Sequence, residues 1–251
     1  MMEDITIQFT DSIAPEDRTA PIFIEGLPGI GHVGKLVAEH MIHELEAVRI
    51  AEITSIYFPP QVIINDDGSV RLCNNEIYRY SGEKGNFLFL VGDFQSTSGE
   101  GHYLLSQVYV DIAHELGVKR IFTIGGYGVG HFNEVTRVIA AVNRPEIRKE
   151  VEDAGGIFSE GEPGGGIIGA AGLMLGLSIP LGIEGICLMG ETSGYLVDPK
   201  SAKTVLSVLT KLLNIDIDDA KLTERAVEME VVIQRLMEQE KKSEDELSYI
   251  G

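Results

Sequence analysis

Short apolar runs rich in β-branched and aromatic residues alternate along the chain with helical patterns of apolar positions. The first strand-like run is Pro21 to Ile24, a helical pattern covers Gly34 to Leu45, and strand-like runs follow over Val48 to Ile56 and Gln61 to Leu72. This alternation is typical of an open α/β sheet with helices packed on it. We therefore predict the α/β class for the main domain.

Three later runs are almost continuously apolar: Asn86 to Gly92, Arg120 to Gly125 and Gly185 to Gly190. Continuous apolar runs of this length are typical of strands covered on both faces, as in a parallel sheet between two layers of helices. The pattern predicts a three-layer, Rossmann-like sandwich with a largely parallel central sheet, in which these three runs form the buried centre.

A turn sequence interrupts the third strand-like run, Gln61 to Leu72. Asn65 to Gly68 lies between Val62 to Ile64 and Val70 to Leu72. An Asp-Gly pair between two apolar runs favours a tight antiparallel hairpin. We expect this hairpin at an edge of the sheet.

Two helices carry clear start signals. Thr97 to Glu100 has the pattern of a capping box before a helix over Gly101 to Leu116, which Gly117 would end. Asp198 and Pro199 supply an N-cap and a first-turn proline before the helix that ends at Leu213.

The composition changes near residue 215, and we divide the chain there. Residues 1–215 are predicted to form the α/β core domain, 216–238 an amphipathic helix, and 239–251 a flexible acidic tail with an apolar tip. The helix has apolar residues at spacings of four, three, four and three, a heptad pattern: Leu222, Ala226, Met229, Ile233 and Leu236. This stripe would either pair with another subunit or dock on its own domain.

Charge and hydropathy exclude several classes of partner. The formal net charge is −19, whereas proteins that bind the nucleic-acid backbone depend on lysine and arginine. The longest apolar window, Ile167 to Ile183, is broken by glycine and proline, and the first residues lack the pattern of a signal peptide. Cys73 and Cys187 fit neither a disulfide framework nor a metal-binding spacing. We expect a cytoplasmic protein that binds neither membrane nor nucleic acid.

A glycine-rich loop between the first strand and the first helix is a candidate ligand loop. Its spacing fits a dinucleotide fingerprint, with Glu52 eighteen residues beyond its last glycine, and it also fits a phosphate loop up to Leu36, where a serine or threonine would be needed for Mg²⁺. The residues concerned are Gly29, Gly31, Gly34 and Lys35. The alternative is a structural turn that lets the helix pack closely on the sheet. We favour the structural turn and predict no cofactor.

Two other clusters could carry chemistry. Asp93, Ser96, Ser98 and His102 follow a buried strand, where α/β proteins often place ligands, and could form a hydrolase site. Helix capping explains the serines equally well, and a Gly-x-Ser-x-Gly elbow is missing from the sequence. His40 and His43 stand three residues apart on the first helix, a spacing that a metal clamp could use. We predict neither a catalytic residue nor a metal ligand from these clusters.

Four motifs together resemble the archaeal branch of the proteasome assembly chaperone family, near its B type, some members of which carry an ATP-grasp label. They are Gly26 to Gly34, Gly92 to Ser96, Gly125 to Gly128 and Gly190 to Tyr195, and the resemblance covers roughly Pro21 to Leu236. It implies a fold related to nucleoside phosphorylases without their activity, and a homo-oligomer, expected to be a tetramer. It also implies an ATP-independent, non-enzymatic chaperone role on proteasome α-subunits.

The resemblance further implies that the tail docks on the proteasome. The last three residues of tails in this family are a hydrophobic residue, a tyrosine and a residue of any type. Here Tyr249 is third from the end instead of second. A charged segment with an apolar tip suits docking into an apolar groove. The expected partner-binding residues are Leu247, Tyr249, Ile250 and Gly251.

Overall fold

The strands belong to one eight-stranded sheet and one separate hairpin. This computed structural model describes residues 4–10, 21–131, 136–161, 164–229 and 231–232. The strands in these residues are β1 (Ile5–Phe9), β2 (Ile22–Glu25), β3 (Val48–Ser55), β4 (Val62–Ile64), β5 (Val70–Leu72), β6 (Asn74–Gly82), β7 (Gly85–Gly92), β8 (Arg120–Gly128), β9 (Val138–Val142) and β10 (Glu184–Thr192).

The main sheet has parallel strands in its centre and antiparallel strands at both sides. Its order is β1-β3-β6-β7-β2-β8-β10-β9. The pairs β7 with β2, β2 with β8, and β8 with β10 are parallel, and the outer pairs are antiparallel. The three runs predicted to be the buried centre are β7, β8 and β10, and β2 lies among them. The predicted α/β class is therefore confirmed.

Helices cover both faces of the sheet. The helices are α1 (Val33–Glu44), α2 (Gly99–Glu115), α3 (Arg148–Ala154), α4 (Ala170–Ser178) and α5 (Pro199–Leu213). α1, α3 and α5 contribute to one buried apolar cluster, and α2 and α4 contribute to a second cluster on the opposite face. This arrangement confirms the three layers. Within the described part of the chain, each helix is too short or too polar to cross a bilayer.

The predicted helix caps are present. The side chain of Ser98 accepts a hydrogen bond from the amide of Gly101 at 3.1 Å, and Asp198 accepts one from Ser201 at 2.9 Å. Each bond satisfies an amide that has no partner within the first turn of its helix. Gly117 follows α2 with a φ of 79°, as expected for a residue that ends a helix.

The hairpin of β4 and β5 forms as predicted but not at the predicted place. Its strands pair antiparallel, with Val62 opposite Leu72, in a separate two-stranded sheet. It therefore does not extend an edge of the main sheet. Arg71 on β5 forms two hydrogen bonds of 2.5 and 2.9 Å with Asp93, which directly follows β7. This ion pair ties the hairpin to the carboxyl end of the central strands.

The start of the C-terminal segment packs on its own domain. Residues 220–229 and 231–232 are helical, so the described helix begins four residues after the predicted boundary at 216. Leu222 is 1% exposed and belongs to the same apolar cluster as α1 and α5. Ala226 and Met229 are half-buried. Ile233 and Leu236 lie outside the described residues, so both the domain division and the subunit contact remain predictions.

Candidate functional site

The glycine-rich loop between β2 and α1 is tightly packed against its neighbours. A Cβ atom on Gly34 would lie 2.2 Å from the carbonyl oxygen of Ile124 on β8, and one on Gly26 would lie 2.4 Å from the carbonyl oxygen of Gly34. Gly31 has a φ of 64°, and a Cβ there would lie 2.8 Å from the Thr192 hydroxyl. These contacts support the structural interpretation of the loop, because its glycines are needed for close contact with the chain itself.

Two residues assigned to the cofactor alternative are engaged elsewhere. Lys35 donates a hydrogen bond of 3.0 Å to the carbonyl oxygen of Gly92 and lies 3.6 Å from the Glu39 carboxylate. Glu52 lies on β3 and accepts a hydrogen bond from Asn74. A dinucleotide fold places its acidic residue on the strand beside the glycine loop, but β6 and β7 separate β3 from β2. Glu52 therefore cannot play the part that the fingerprint requires.

A cavity of about 550 Å³ opens at the carboxyl ends of β2, β8 and β10. Open α/β sheets bind ligands at this end of their parallel strands, and the volume lies in the range of small-molecule sites. Much of the lining is apolar and includes Leu27, Ile30, Ile124, Ile167 and Met189. Polar side chains in the lining are Glu25, Gln95, His102 and Tyr127.

Glu25 places a buried carboxyl group in the wall of this cavity. It is the last residue of β2 and is 1% exposed. Its Oε1 accepts a hydrogen bond of 2.9 Å from the Leu27 amide, whereas its Oε2 has no hydrogen-bond partner among the described residues. Burial raises the pKa of Glu25 to about 8, although the nearby backbone amides of Leu27 and Ile124 oppose the shift. The carboxyl is therefore mostly protonated at neutral pH.

Gln95 connects two walls of the cavity. Its Nε2 donates a hydrogen bond of 2.8 Å to the carbonyl oxygen of Pro28, and its Oε1 accepts one of 3.0 Å from the amide of Ala170. Gly169, just before α4, has a φ of 86°, and a Cβ there would lie 2.6 Å from Gln95 Oε1. The amide side chain thus fixes the first residue of α4 relative to the loop after β2.

The residues weighed for a hydrolase site do not form one. Asp93 binds Arg71 and accepts a hydrogen bond from the Asn74 amide. Ser98 caps α2, and the Ser96 hydroxyl donates to the carbonyl oxygen of Ser98 at 3.0 Å. His102 lines the cavity, and burial lowers its pKa, so its ring is neutral at pH 7. The carboxylate and the serines each have partners other than this imidazole.

The histidine pair on α1 contacts the C-terminal segment. His40 Nε2 lies 2.6 Å from the carbonyl oxygen of Asp218, and a ring nitrogen of His43 lies 3.2 Å from the ammonium group of Lys221. The described residues contain no group of three or more histidine, cysteine, aspartate and glutamate side chains suited to a metal ion.

Sequence reasoning missed both polar residues on which the cavity depends. Glu25 carries a usable signal, since it is an acidic residue at the end of an apolar strand and directly before a glycine turn. Gln95 entered only as part of a motif. The predicted partner-binding residues Leu247, Tyr249, Ile250 and Gly251 lie outside the described residues.

The fold and the glycine turns together define the class of protein. A PAC2 family model matches residues 23–237, so the chain belongs to the PAC2 family. This confirms the resemblance to proteasome assembly chaperones and the fold that it implies.

Two of the relatives are similar to this chain over nearly its whole length. The crystal structure of Pyrococcus furiosus PbaB, an archaeal proteasome activator, has 40% sequence identity and a TM-score of 0.88, and the match covers 94% of this chain and 100% of that one. Protein MJ1210 of Methanocaldococcus jannaschii is 41% identical over 240 residues, which are 92% of each chain.

A third, more distant structure shares the fold. Pyrococcus furiosus PbaA, an archaeal homologue of proteasome-assembly chaperone, has 24% identity and a TM-score of 0.76, with 98% of this chain and 97% of that one covered.

Proposed function

We propose that the chain is a non-enzymatic, ATP-independent chaperone or activator of the proteasome that binds proteasome α-subunits. One observation carries this proposal: over 94% of its length, the chain matches an archaeal proteasome activator with 40% sequence identity and a TM-score of 0.88. Similarity at this level, extending over nearly all of both chains, supports a shared kind of partner. The packed glycine loop and the displaced Glu52 speak against the nucleotide-dependent alternative.

The tail is the proposed main contact. Residues 239–246 carry six charged side chains, and Leu247, Tyr249 and Ile250 follow them. An apolar side chain that enters a groove on the partner contributes binding energy, while the charged part keeps the segment in water until it binds. In a homotetramer, four such tails would act at a high effective concentration, so that weak single contacts add up.

The domain surface offers a second apolar contact. The hairpin of β4 and β5 exposes Val62, Ile64, Val70 and Leu72 by between 50% and 73%. Contiguous exposed apolar side chains mark surfaces that contact other proteins. We therefore include the hairpin in the proposed contact with α-subunits and assign the tail the larger contribution.

A capture experiment tests the role of the tail. Purified archaeal α-subunits and assembled 20S particles are incubated with the full chain, with a chain that ends at Glu238, and with the variants Tyr249→Ala and Ser248→Ala. We expect the full chain and Ser248→Ala to retain the proteasome proteins. The shortened chain and Tyr249→Ala should lose at least tenfold in affinity, with or without ATP. Equal affinity of all four proteins would contradict the tail mechanism.

Two readouts separate assembly from activation. Native mass spectrometry follows the formation of α-subunit rings, and cleavage of a fluorogenic peptide follows the activity of the 20S particle. Faster ring formation would identify an assembly chaperone, and faster cleavage would identify an activator. If neither changes and the α-subunits are not captured, the proposed function is wrong.

A further inference from the structure

The cavity at the carboxyl ends of β2, β8 and β10 has the features of a built ligand site. It combines a volume of about 550 Å³ with a carboxyl side chain that is 1% exposed and lines its wall. One oxygen of that carboxyl, Glu25 Oε2, has no hydrogen-bond partner in the described part of the chain. A buried polar atom without a partner costs free energy, so a ligand that donates a hydrogen bond to it would relieve this cost.

We propose that this cavity binds a small molecule in which an amidinium or primary ammonium group is attached to an apolar body, with the cationic group at Glu25 Oε2. The inference is independent of the proposed proteasome contact, which depends on the tail and the hairpin. It assigns the PAC2 domain of this chain a small-molecule site.

The charges around Glu25 favour a cation. The described lining contains neither lysine nor arginine, and the imidazole of His102 is neutral at pH 7 because burial lowers its pKa. Two further titratable groups interact with Glu25, Tyr109 from α2 and Cys187 from β10, and burial raises the pKa of both, so they are uncharged as well. A ligand cation would therefore place a positive charge beside this carboxyl group, where the described lining has none. It would stabilise the ionised form of Glu25.

The walls favour an apolar body. Leu27, Ile124, Ile167 and Met189 line the cavity, and Ile168 at its edge is 94% exposed. Burial of an aromatic or aliphatic group against such side chains is favourable, and a single charged contact would then fix its orientation. Gln95 cannot serve as a second polar contact without giving up its bonds to Pro28 and Ala170.

Benzamidine and its neutral analogue benzamide are suitable probes, because they differ chiefly in the charge of the group that would face Glu25. Isothermal titration of the full chain with each probe is compared with the same titrations of Glu25→Gln and Glu115→Gln. The second variant removes an exposed carboxyl at the far end of α2 and serves as the control. We expect benzamidine to bind the wild type and Glu115→Gln at least tenfold more tightly than benzamide does, and Glu25→Gln to lose this preference.

The wild-type chain provides a test that needs no variant. A cation bound at Glu25 displaces its proton, so binding at pH 7 should release close to one proton per molecule, measured in buffers of different ionisation enthalpy. The affinity for benzamidine should rise about tenfold or more between pH 6.5 and 8.5, because the site then no longer has to lose a proton. His102, Tyr109 and Cys187 lie in the same region, and a proton taken up or released by them would give a different pH profile.

Thermal unfolding shows whether the variant is folded. The pKa of Glu25 is higher in the folded chain than in the unfolded chain, so its contribution to stability is fully present below about pH 4.5 and is lost as the pH rises through about 8. The melting temperature of the wild type should therefore fall relative to Glu25→Gln between pH 5 and 9. The proposal is overturned if benzamidine does not bind, if it binds the folded Glu25→Gln variant equally well, or if binding releases no proton at pH 7.

Discussion

At the turn between β2 and α1, glycine is required by contact rather than by backbone conformation. Gly34 has an ordinary φ, yet a Cβ atom there would meet the carbonyl oxygen of Ile124 at 2.2 Å. A backbone carbonyl of a central strand cannot move aside as a flexible side chain can. The close approach of α1 to β8 therefore requires a residue without a Cβ atom at position 34.

Two glycines in helices should respond to alanine in opposite ways. Gly34→Ala should lower the free energy of unfolding by about 2–3 kcal/mol, because the added methyl forces α1 away from β8. Gly176→Ala in α4 should leave it unchanged or raise it by about 0.5–1 kcal/mol, because nothing lies within 4 Å of its Cβ position and alanine favours a helix. Urea unfolding of both variants gives the two values. A loss for Gly34→Ala no greater than for Gly176→Ala would contradict the contact.

Single residues were predictable where their role depends on neighbours in sequence. The caps at Ser98 and Asp198 are local, and the pattern around each is sufficient to predict it. The burial of Glu25 is not local, because it depends on β7 and β8 flanking β2 and on helices covering its end. Its sequence neighbours show only an acidic residue at a strand end.

Among the elements, α4 is held at its first turn by a residue from another segment. Gln95 accepts a hydrogen bond from the Ala170 amide and donates one to Pro28. Gly169 before α4 supplies no capping side chain. Gln95 therefore replaces the usual cap of this helix and also links it to the turn after β2.

Replacement of Gln95 should loosen α4 without unfolding the domain. Gln95→Ala is expected to lower the free energy of unfolding by about 1–2 kcal/mol, since it leaves a backbone amide and a carbonyl without partners. Hydrogen exchange by mass spectrometry should show faster exchange in residues 167–175. The control is Gln107→Ala on α2, whose side chain donates a hydrogen bond to the exposed Asp111. Equal rates of hydrogen exchange in residues 167–175 of both variants would contradict the role of Gln95 in holding the start of α4.

The order of the strands in the sheet could not be predicted from the sequence. Hydrophobic periodicity predicts the runs that became β2, β3, β7, β8 and β10, and turn residues predict the hairpin. Periodicity does not say which strands are neighbours. The fingerprint suggested that the strand after α1 lies beside β2, but β6 and β7 pair between them. Long-range pairing therefore decided that Glu52 lies far from the glycine loop.

At the scale of the whole molecule, the predicted apolar stripe of the C-terminal helix has two parts that differ in burial. Leu222 packs in its own core, whereas Ala226 and Met229 are only half-buried in the single chain. The first position thus serves the fold. The later positions are the ones that can still contact a second subunit, as the heptad pattern predicts.

A charge on this stripe should reduce assembly if the stripe joins subunits. Met229→Glu is expected to shift the protein to smaller species in native mass spectrometry, because an unpaired carboxylate would be buried in an apolar contact. Val227→Glu is the matched control, since Val227 is 57% exposed and lies outside the stripe. Unfolding by urea should differ by less than about 1 kcal/mol between the two. The same assembly size for both variants would assign the helix to its own domain alone.

The sheet order also has a consequence for the time course of folding. The strands β3, β6 and β7 pair within residues 48–92, so they can form as soon as that part of the chain has left the ribosome. The strand β2 can pair with β7 once residue 90 is available, but its other edge must wait for β8, where Arg120 pairs with Ile22, and β8 in turn waits for β10 near residue 184. Contacts of such long sequence separation form slowly. The part of the sheet that contains Glu25 is therefore expected to be completed late in synthesis. Until then, the apolar faces of the central strands are exposed and can associate with other unfolded chains.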